Sequence, residues 1–279
     1  MNQQTIELFS LPDTFFQLSK MLNDPRYSVE DFGHVISKDP ALSVRLLKIV
    51  NSPYYGFPSR IDTISRAITV VGIDDLQNLI LATSVVDNFD SIPDDLADMT
   101  SFWFRSVNCA VIAKILAEKC AVLHAERLFI AGLLHDIGSL IIYSQFPDES
   151  KKILEKSNYD RQQIVALENQ MIGFSHIDVG AELLRHWGLP DSLSESVMNY
   201  MEPEKAGQYK YDASILNLAA FLCDLVTPFE KISEIVEKIS NQVLSILSIS
   251  EEDIEDVLLK AEKELSLVFS MLVPNQNFT

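Results

Sequence analysis

The residues best equipped for chemistry stand side by side. His135 and Asp136 follow seven uncharged, mostly apolar residues, Leu128 to Leu134, and Gly138 comes two residues later. An apolar run of this kind reads as a buried helix, and Gly138 is placed as the C′ residue that ends it. That helix would deliver an imidazole and a carboxylate into the interior. Both are strong divalent-metal ligands. A carboxylate buried without a cation or hydrogen bonds is costly, so the pair demands a partner.

Hydrolytic chemistry at such a pair requires a divalent ion with about four protein ligands and an open position for water. His135 and Asp136 supply two. His34 and His186 have no acids or thiols at ligand spacing and read as structural. His124 sits in the connection before the core helix, while His176 follows the Gly173-Phe174 turn. Cys109, Cys120 and Cys223 are odd in number, widely spaced and set among apolar residues, the pattern of buried reduced thiols.

The elements that must position the pair are helical throughout. Phe15, Leu18, Met21 and Leu22 recur at helical spacing, as do Val29, Phe32, Val35 and Ile36. Asp39-Pro40 supplies an N-cap and an N1 proline for the helix from Ala41 to Val50. Asn51 to Pro58 packs two prolines, a glycine and three aromatics into a structured loop. Asn51, Ser52, Tyr54, Tyr55 and Phe57 could there form a binding surface or pin a turn onto neighbouring helices. Ile61 to Val71 is a further helix ended by Gly72, and Asp74 caps one from Leu76 to about Val86.

A polar break, Ser91 to Asp95, separates a first lobe from the part that holds the pair. Helices are then expected from Phe102, over Ile141–Phe146, Asp148–Lys156, Arg161–Met171 and Val179–Leu184, and over Leu193–Met201, Ile215–Val226, Ile232–Leu247 and Ile254–Leu272. Residues 274–279 read as a disordered tail. No segment reads better as a strand.

Composition bounds the partners. The 279 residues are 47% apolar, enough for a packed core. Forty acids against 22 bases give a net charge of −18, which repels a phosphate backbone. Arg26, Lys38, Arg45, Lys48, Arg60 and Arg66 are interleaved with acids, so no nucleic-acid partner is expected. The first ten residues lack a basic stretch followed by an apolar core, and no uncharged apolar run approaches the roughly 20 residues that span a bilayer. A cytoplasmic protein without a membrane partner is expected.

Several separately placed motifs resemble the HDOD family, the "HD-related output domain" of bacterial signalling. They are Asp39-Pro40-Ala41-Leu42, Asn51-Ser52, Tyr55-Gly56, Ile61-x-x-Ile64-x-x-Ala67-Ile68, Val71-Gly72, His135-Asp136-Ile137-Gly138 and Trp187-Gly188-Leu189-Pro190, in that order over about two-thirds of the chain. The resemblance implies an all-α, multi-helical HDOD fold in which an N-terminal helical lobe packs on an HD-like helical lobe. An HDOD domain over 8–210 would divide into lobes of 8–92 and 93–210, with 211–279 completing the second.

HD phosphohydrolases, to which that lobe is similar, use a further His upstream and a further Asp downstream. Alignment puts Arg105 and Ala220 at those two positions. His176 is retained as a third vestigial ligand beside His135 and Asp136, whereas a tandem His pair of the di-nuclear relatives reads Tyr200-Met201. Asp224, one turn beyond Ala220, or His124 would have to complete a metal shell. Arg105 offers a different solution, because a guanidinium is always charged and pairs bidentately with a carboxylate, neutralising Asp136 without an ion.

The leading expectation is therefore a non-catalytic signalling module with a degenerate site, no cofactor and a protein partner, since no receiver, kinase or cyclase segment lies within these residues. The alternative is a metal-dependent phosphohydrolase or phosphodiesterase acting on nucleotides or cyclic dinucleotides. A third possibility is a small anion or nucleotide bound in the remnant cleft through Arg105.

Overall fold

The computed structural model describes residues 11–22, 24–88, 96–225 and 232–273, and every regular element among them is a helix. The break at Ser91–Asp95, the residues before Leu11 and the tail after Val273 lie outside the described residues. The chain divides into two compact units.

The first unit takes in the described residues up to 88. Its helices are α1 (Asp13–Leu22), α2 (Val29–Ile36), α3 (Pro40–Val50), α4 (Ile64–Val71) and α5 (Ile73–Asn88). Local chemistry sets their ends. Ser28 and Asp31 form a reciprocal capping box on α2. Asp39 accepts from the Leu42 N–H at 3.0 Å, with Pro40 in the first turn. Gly72, at φ 97°, ends α4, and α5 leaves at 113° to it. The Asp74 cap expected for a helix at Leu76 is instead part of a first turn beginning at Ile73, where Asp74 and Asp75 suit the helix dipole.

Residues 266–273 also belong to this unit, although the resemblance led us to expect all of 211–279 in the HD-like lobe. Val268, Phe269, Leu272 and Val273 are buried, and Ser52 Oγ donates to Met271 Sδ at 3.1 Å. The apolar stripe at the end of the last helix thus completes a core made from described residues between 11 and 88.

The second unit begins with α6 (Met99–Lys119), capped by Asp98. Its Phe102, Trp103, Val107, Cys109, Ala110, Ile112 and Leu116 are all buried, which makes it a central helix rather than a surface one. Next come α7 (Glu126–Leu134), α8 (Ile137–Gln145), α9 (Pro147–Ser157), α10 (Arg161–Met171), α11 (His176–His186) and α12 (Asp191–Asn199). A 3-10 stretch, Pro203–Tyr209, leads into α13 (Lys210–Cys223), which starts five residues earlier than its apolar spacing suggested.

The single helix expected over Ile232–Leu247 is two, α14 (Ile232–Lys238) and α15 (Asn241–Leu247), with Ser240 at the break. The final helix, α16, runs from Glu251 to Leu272 with three acids in its first turn. Arg127 on α7 grips the buried Asp212 of α13 through two bonds of 2.9 and 3.0 Å.

Gly138 does not end the apolar helix. It lies inside α8 and outside the left-handed region, and a Cβ there would overlap the His176 carbonyl oxygen and stand 2.6 Å from the Gly180 nitrogen. Glycine is required for the close approach of α8 to α11, not for a turn. The chain breaks at His135-Asp136 itself, with Asp136 in the N-cap position of α8 at φ −107°, ψ 6°.

Candidate functional site

The break between α7 and α8 places His135 and Asp136 in the interior of the second unit, 0% and 5% exposed. His135 Nδ1 lies 2.7 Å from the Gly132 carbonyl oxygen. Donation there fixes the tautomer and turns a bare Nε2 toward Asp136, 3.9 Å from Oδ2. The Tyr200 ring meets the imidazole edge to face at 5.6 Å. Burial drives the His135 pKa down to about 4, against the pull of Asp136, so the ring is neutral at physiological pH.

His176 comes from the first turn of α11, where Ser175 and Asp178 form a capping box. Its backbone N–H and Nδ1 both reach Oε2 of the buried Glu168, at 2.9 and 2.7 Å. Nε2 points back to Asp136, 3.4 Å from Oδ1, and has no hydrogen-bond partner.

Two guanidinium groups face Asp136. Arg105 Nη2 lies 3.3 Å from Oδ2, and Arg161 Nη1 lies 3.5 Å from Oδ1. Arg161 also donates to the Tyr200 hydroxyl at 3.0 Å and through Nε and Nη2 to Asp224 at 3.1 and 3.3 Å. Burial by itself would raise the Asp136 carboxyl. Arg161, His135 and Arg105 outweigh it and hold the group well below the usual carboxylate range. Burial pushes the Tyr200 hydroxyl up, so it stays a phenol that accepts from Arg161.

A cleft of about 420 Å³ opens beside this centre, lined by Arg105, Asp136, Ser139, Tyr143, Tyr159 and Arg161 together with His176, Cys223 and Asp224. Tyr159 is 75% exposed at its rim, and the backbone of Asn158 and Tyr159 is left-handed at both residues, φ 47° and 61°. Such a conformation in two successive residues with a Cβ is strained by roughly 1–2 kcal/mol each.

The structure brings together His135, Asp136, His176, Arg105 and Tyr200 from the residues singled out by sequence. It does not bring in Met201, which lines a separate groove with Val165, Ile177 and Met198. Ala220 is buried on α13, its carbonyl accepting from Cys223 Sγ at 3.3 Å, and it does not line the cleft. Asp224 completes no metal shell, since Arg161 holds it. His124 stays in the α6–α7 connection, its carbonyl accepting from Arg127. His34 and His186 are exposed. In the first unit, the Asn51 amide is spent within its own loop, donating to the Leu47 and Ile61 carbonyls and accepting from the Ile61 N–H, each at 2.7 Å. Tyr55 and Phe57 stack beside it at 5.9 Å, with Tyr54 edge-on to Tyr55 at 5.4 Å.

Arg161 and Glu168 went unread in the sequence, and both had left a signal. An arginine at the first position of a helix opposes the dipole and calls for a reason. Glu168 stands four residues after Ile164, on a face otherwise apolar.

A divalent ion, which the HD resemblance implies, does not fit these residues. The two imidazoles are oriented as ligands would be, each with Nδ1 tied down and Nε2 bare. Yet both oxygens of the one carboxylate between them face guanidinium nitrogens, and among the described residues no group of three His, Cys, Asp or Glu side chains is disposed to hold an ion.

Comparison with known proteins gives a family match to the HDOD domain over residues 8–203. An uncharacterized protein of Treponema pallidum (strain Nichols) is 26% identical over 227 residues, a stretch that takes in 80% of this chain and 44% of that longer protein. Several solved structures share the fold, three of them as follows. A protein of Shewanella amazonensis SB2B, provisionally described as a phosphohydrolase, is 24% identical with a TM-score of 0.76, over 97% of this chain and 96% of its own. An HDOD domain protein of unknown function from Geobacter sulfurreducens is 19% identical with a TM-score of 0.74, over 97% of each chain. A protein of Marinobacter aquaeolei VT8, provisionally described as acting in signal transduction, is 22% identical with a TM-score of 0.74, over 98% of this chain and 61% of its own.

Proposed function

The chain belongs to the HDOD domain family, and from that premise we propose that it is a non-catalytic regulatory module of bacterial signal transduction that works in the cytoplasm by contact with a separate protein. The observation that carries this reading is the pairing of Asp136 with two guanidinium groups. A guanidinium never gives up its proton and has no vacant orbital, so it neutralises the buried carboxylate but cannot activate water as a bound ion would. The centre is then a structural lock on α6, α8 and α10. The partner would dock on Tyr54, Tyr55 and Phe57, because half-buried aromatics of this kind are enriched at protein interfaces.

One observation favours a second reading, a metal-dependent phosphohydrolase with an atypical site: the bare Nε2 atoms of His135 and His176 both converge on Asp136. Elemental analysis of the purified protein and hydrolysis of a generic phosphodiester with added manganese separate the two. The regulatory reading expects well under one ion per chain and no turnover. A stoichiometric ion, or hydrolysis abolished by His135→Ala, overturns it.

A further inference from the structure

We propose that the groove between α10, α11 and the end of α12 docks an arginine-bearing segment of a partner protein, the guanidinium held by side-chain oxygens and the flanking apolar residues by Met198 and Met201. The inference rests on the regulatory reading for there being a protein partner, and it adds the chemistry that such a partner carries.

The groove encloses about 560 Å³ and shares no lining residue with the cleft beside Asp136. Its apolar surface is adaptable, since Met198 and Met201 are half-buried and open to solvent there. Methionine is unbranched and polarisable, so two of them side by side accept apolar side chains of different shapes. Methionine and arginine are also enriched where proteins meet.

The polar atoms decide the sign of the occupant. The two charged residues that line the groove, Asp178 and Glu202, are both acids. Donors in the groove are largely spent. The Ser175 hydroxyl donates to Asp178 Oδ2 at 2.6 Å, and Asn199 Nδ2 donates to the Glu195 carbonyl at 2.9 Å and to its carboxylate at 3.3 Å. Asn169 Nδ2 donates to the Val165 carbonyl at 2.9 Å. These bonds leave, among the described residues, Oδ1 of Asn169, Asn199 and Asp178 as acceptors without a donor. Glu202 adds its carboxylate, which Lys205 reaches at 2.6 Å in a pair whose side chains are 58% and 61% exposed. An ion pair that exposed holds its carboxylate loosely.

Acceptors spread over three elements suit a guanidinium, whose five N–H donors form a planar fork, better than the single nitrogen of an ammonium. The surrounding charge draws the same partner: 29 acids face 15 bases over residues 91–265, a field that attracts a cationic segment before contact.

The test is a titration of the full chain, labelled at its methionine methyl carbons for NMR, with a pool of blocked heptapeptides that carry a central arginine between mixed apolar residues. The same pool with citrulline in place of arginine keeps the shape and removes the charge. The arginine pool is expected to shift the Met198 and Met201 methyl signals saturably while those of Met21 and Met99 stay in place, and the citrulline pool should bind roughly fivefold more weakly or worse. Glu202→Gln should weaken binding by about twofold to fivefold. Asn169→Lys, at an exposed position and confirmed folded by circular dichroism, sets a like charge in the groove and should weaken it by about tenfold. No shift with the arginine pool, equal binding of the citrulline pool, or undiminished binding by Asn169→Lys overturns the proposal. So does a shift of the two methyl signals with protein concentration alone, which would seat a second copy of this chain in the groove. Absence of peptide binding sinks this inference and leaves the regulatory reading intact, whereas manganese-dependent hydrolysis of a phosphodiester sinks that reading whatever the peptides do.

Discussion

Arg105 and Arg161 touch the same carboxylate and differ in what their loss should cost. The Arg161 side chain is 19% exposed and holds Asp136, Asp224 and Tyr200 together. Arg161→Ala leaves a buried carboxylate short of its main counter-charge and is expected to cost about 3–5 kcal/mol in urea unfolding. Arg105→Ala, at a half-exposed position, should cost about 1 kcal/mol or less. Equal losses would refute the assignment of Arg161 as the chief counter-ion. His135 gives a pH signature. Its pKa falls from about 6.5 in the unfolded chain to about 4 in the folded one, so between these values the unfolded state binds more protons and stability rises with pH. Acidification through that window should remove about 3 kcal/mol, and His135→Asn, which cannot titrate there, should flatten the slope. Of this centre, His135 and Asp136 were legible because an apolar run ending in two polar residues is conspicuous in one dimension, whereas Arg105 and His176 were marked only by the family resemblance. Arg161 has no such mark, and with its partner 25 residues away only folding makes them neighbours.

At the scale of elements, the site depends on how closely α8 and α11 approach. Gly138→Ala would ordinarily help a helix by up to about 1 kcal/mol. Here the added methyl meets backbone atoms of His176 and Gly180, which cannot swing aside as a side chain would. The steric term should therefore win, lowering the thermal midpoint markedly and pushing His176 away from Asp136. An unchanged or raised midpoint would show that the two helices are not held at this distance. Helix identities were readable from periodicity and caps, as at Asp39-Pro40. Three misread ends share one cause: at Ile73, Lys210 and Ser240 the periodic apolar signal starts late or runs through a break that the backbone makes, whereas at Ile61 it starts three residues before the Thr63-capped helix does.

For the whole molecule, the division into two units sets the remaining expectations. Phe269, 1% exposed, belongs to the unit that holds α1 to α5. Phe269→Ala should cost about 3–5 kcal/mol, and amide exchange should show protection lost in α1 to α5 more than in α6. Loss confined to α6 would contradict the assignment. Charge is shared unequally as well: ten acids face seven bases over residues 8–90, and 29 face 15 over 91–265. Raising the salt from about 20 to about 200 mM should therefore raise the thermal midpoint by screening self-repulsion. A midpoint that falls would mean that ion pairs such as Lys119 with Asp253 and Asp256 dominate. Among the described residues, Glu126–Gln145 is long and apolar enough to cross a bilayer, but 78% of its most apolar 18-residue window is buried within the protein and it is broken at His135-Asp136.

Periodicity, caps and motif order are properties of neighbours along the chain, and they determined the helical class, the family resemblance and the inward delivery of His135 and Asp136. Which groups meet that carboxylate was decided only by the tertiary structure. Arg105, Arg161 and His176 come from three different helices, and the energy of a buried charge depends on through-space distances of a few ångströms that no local pattern encodes.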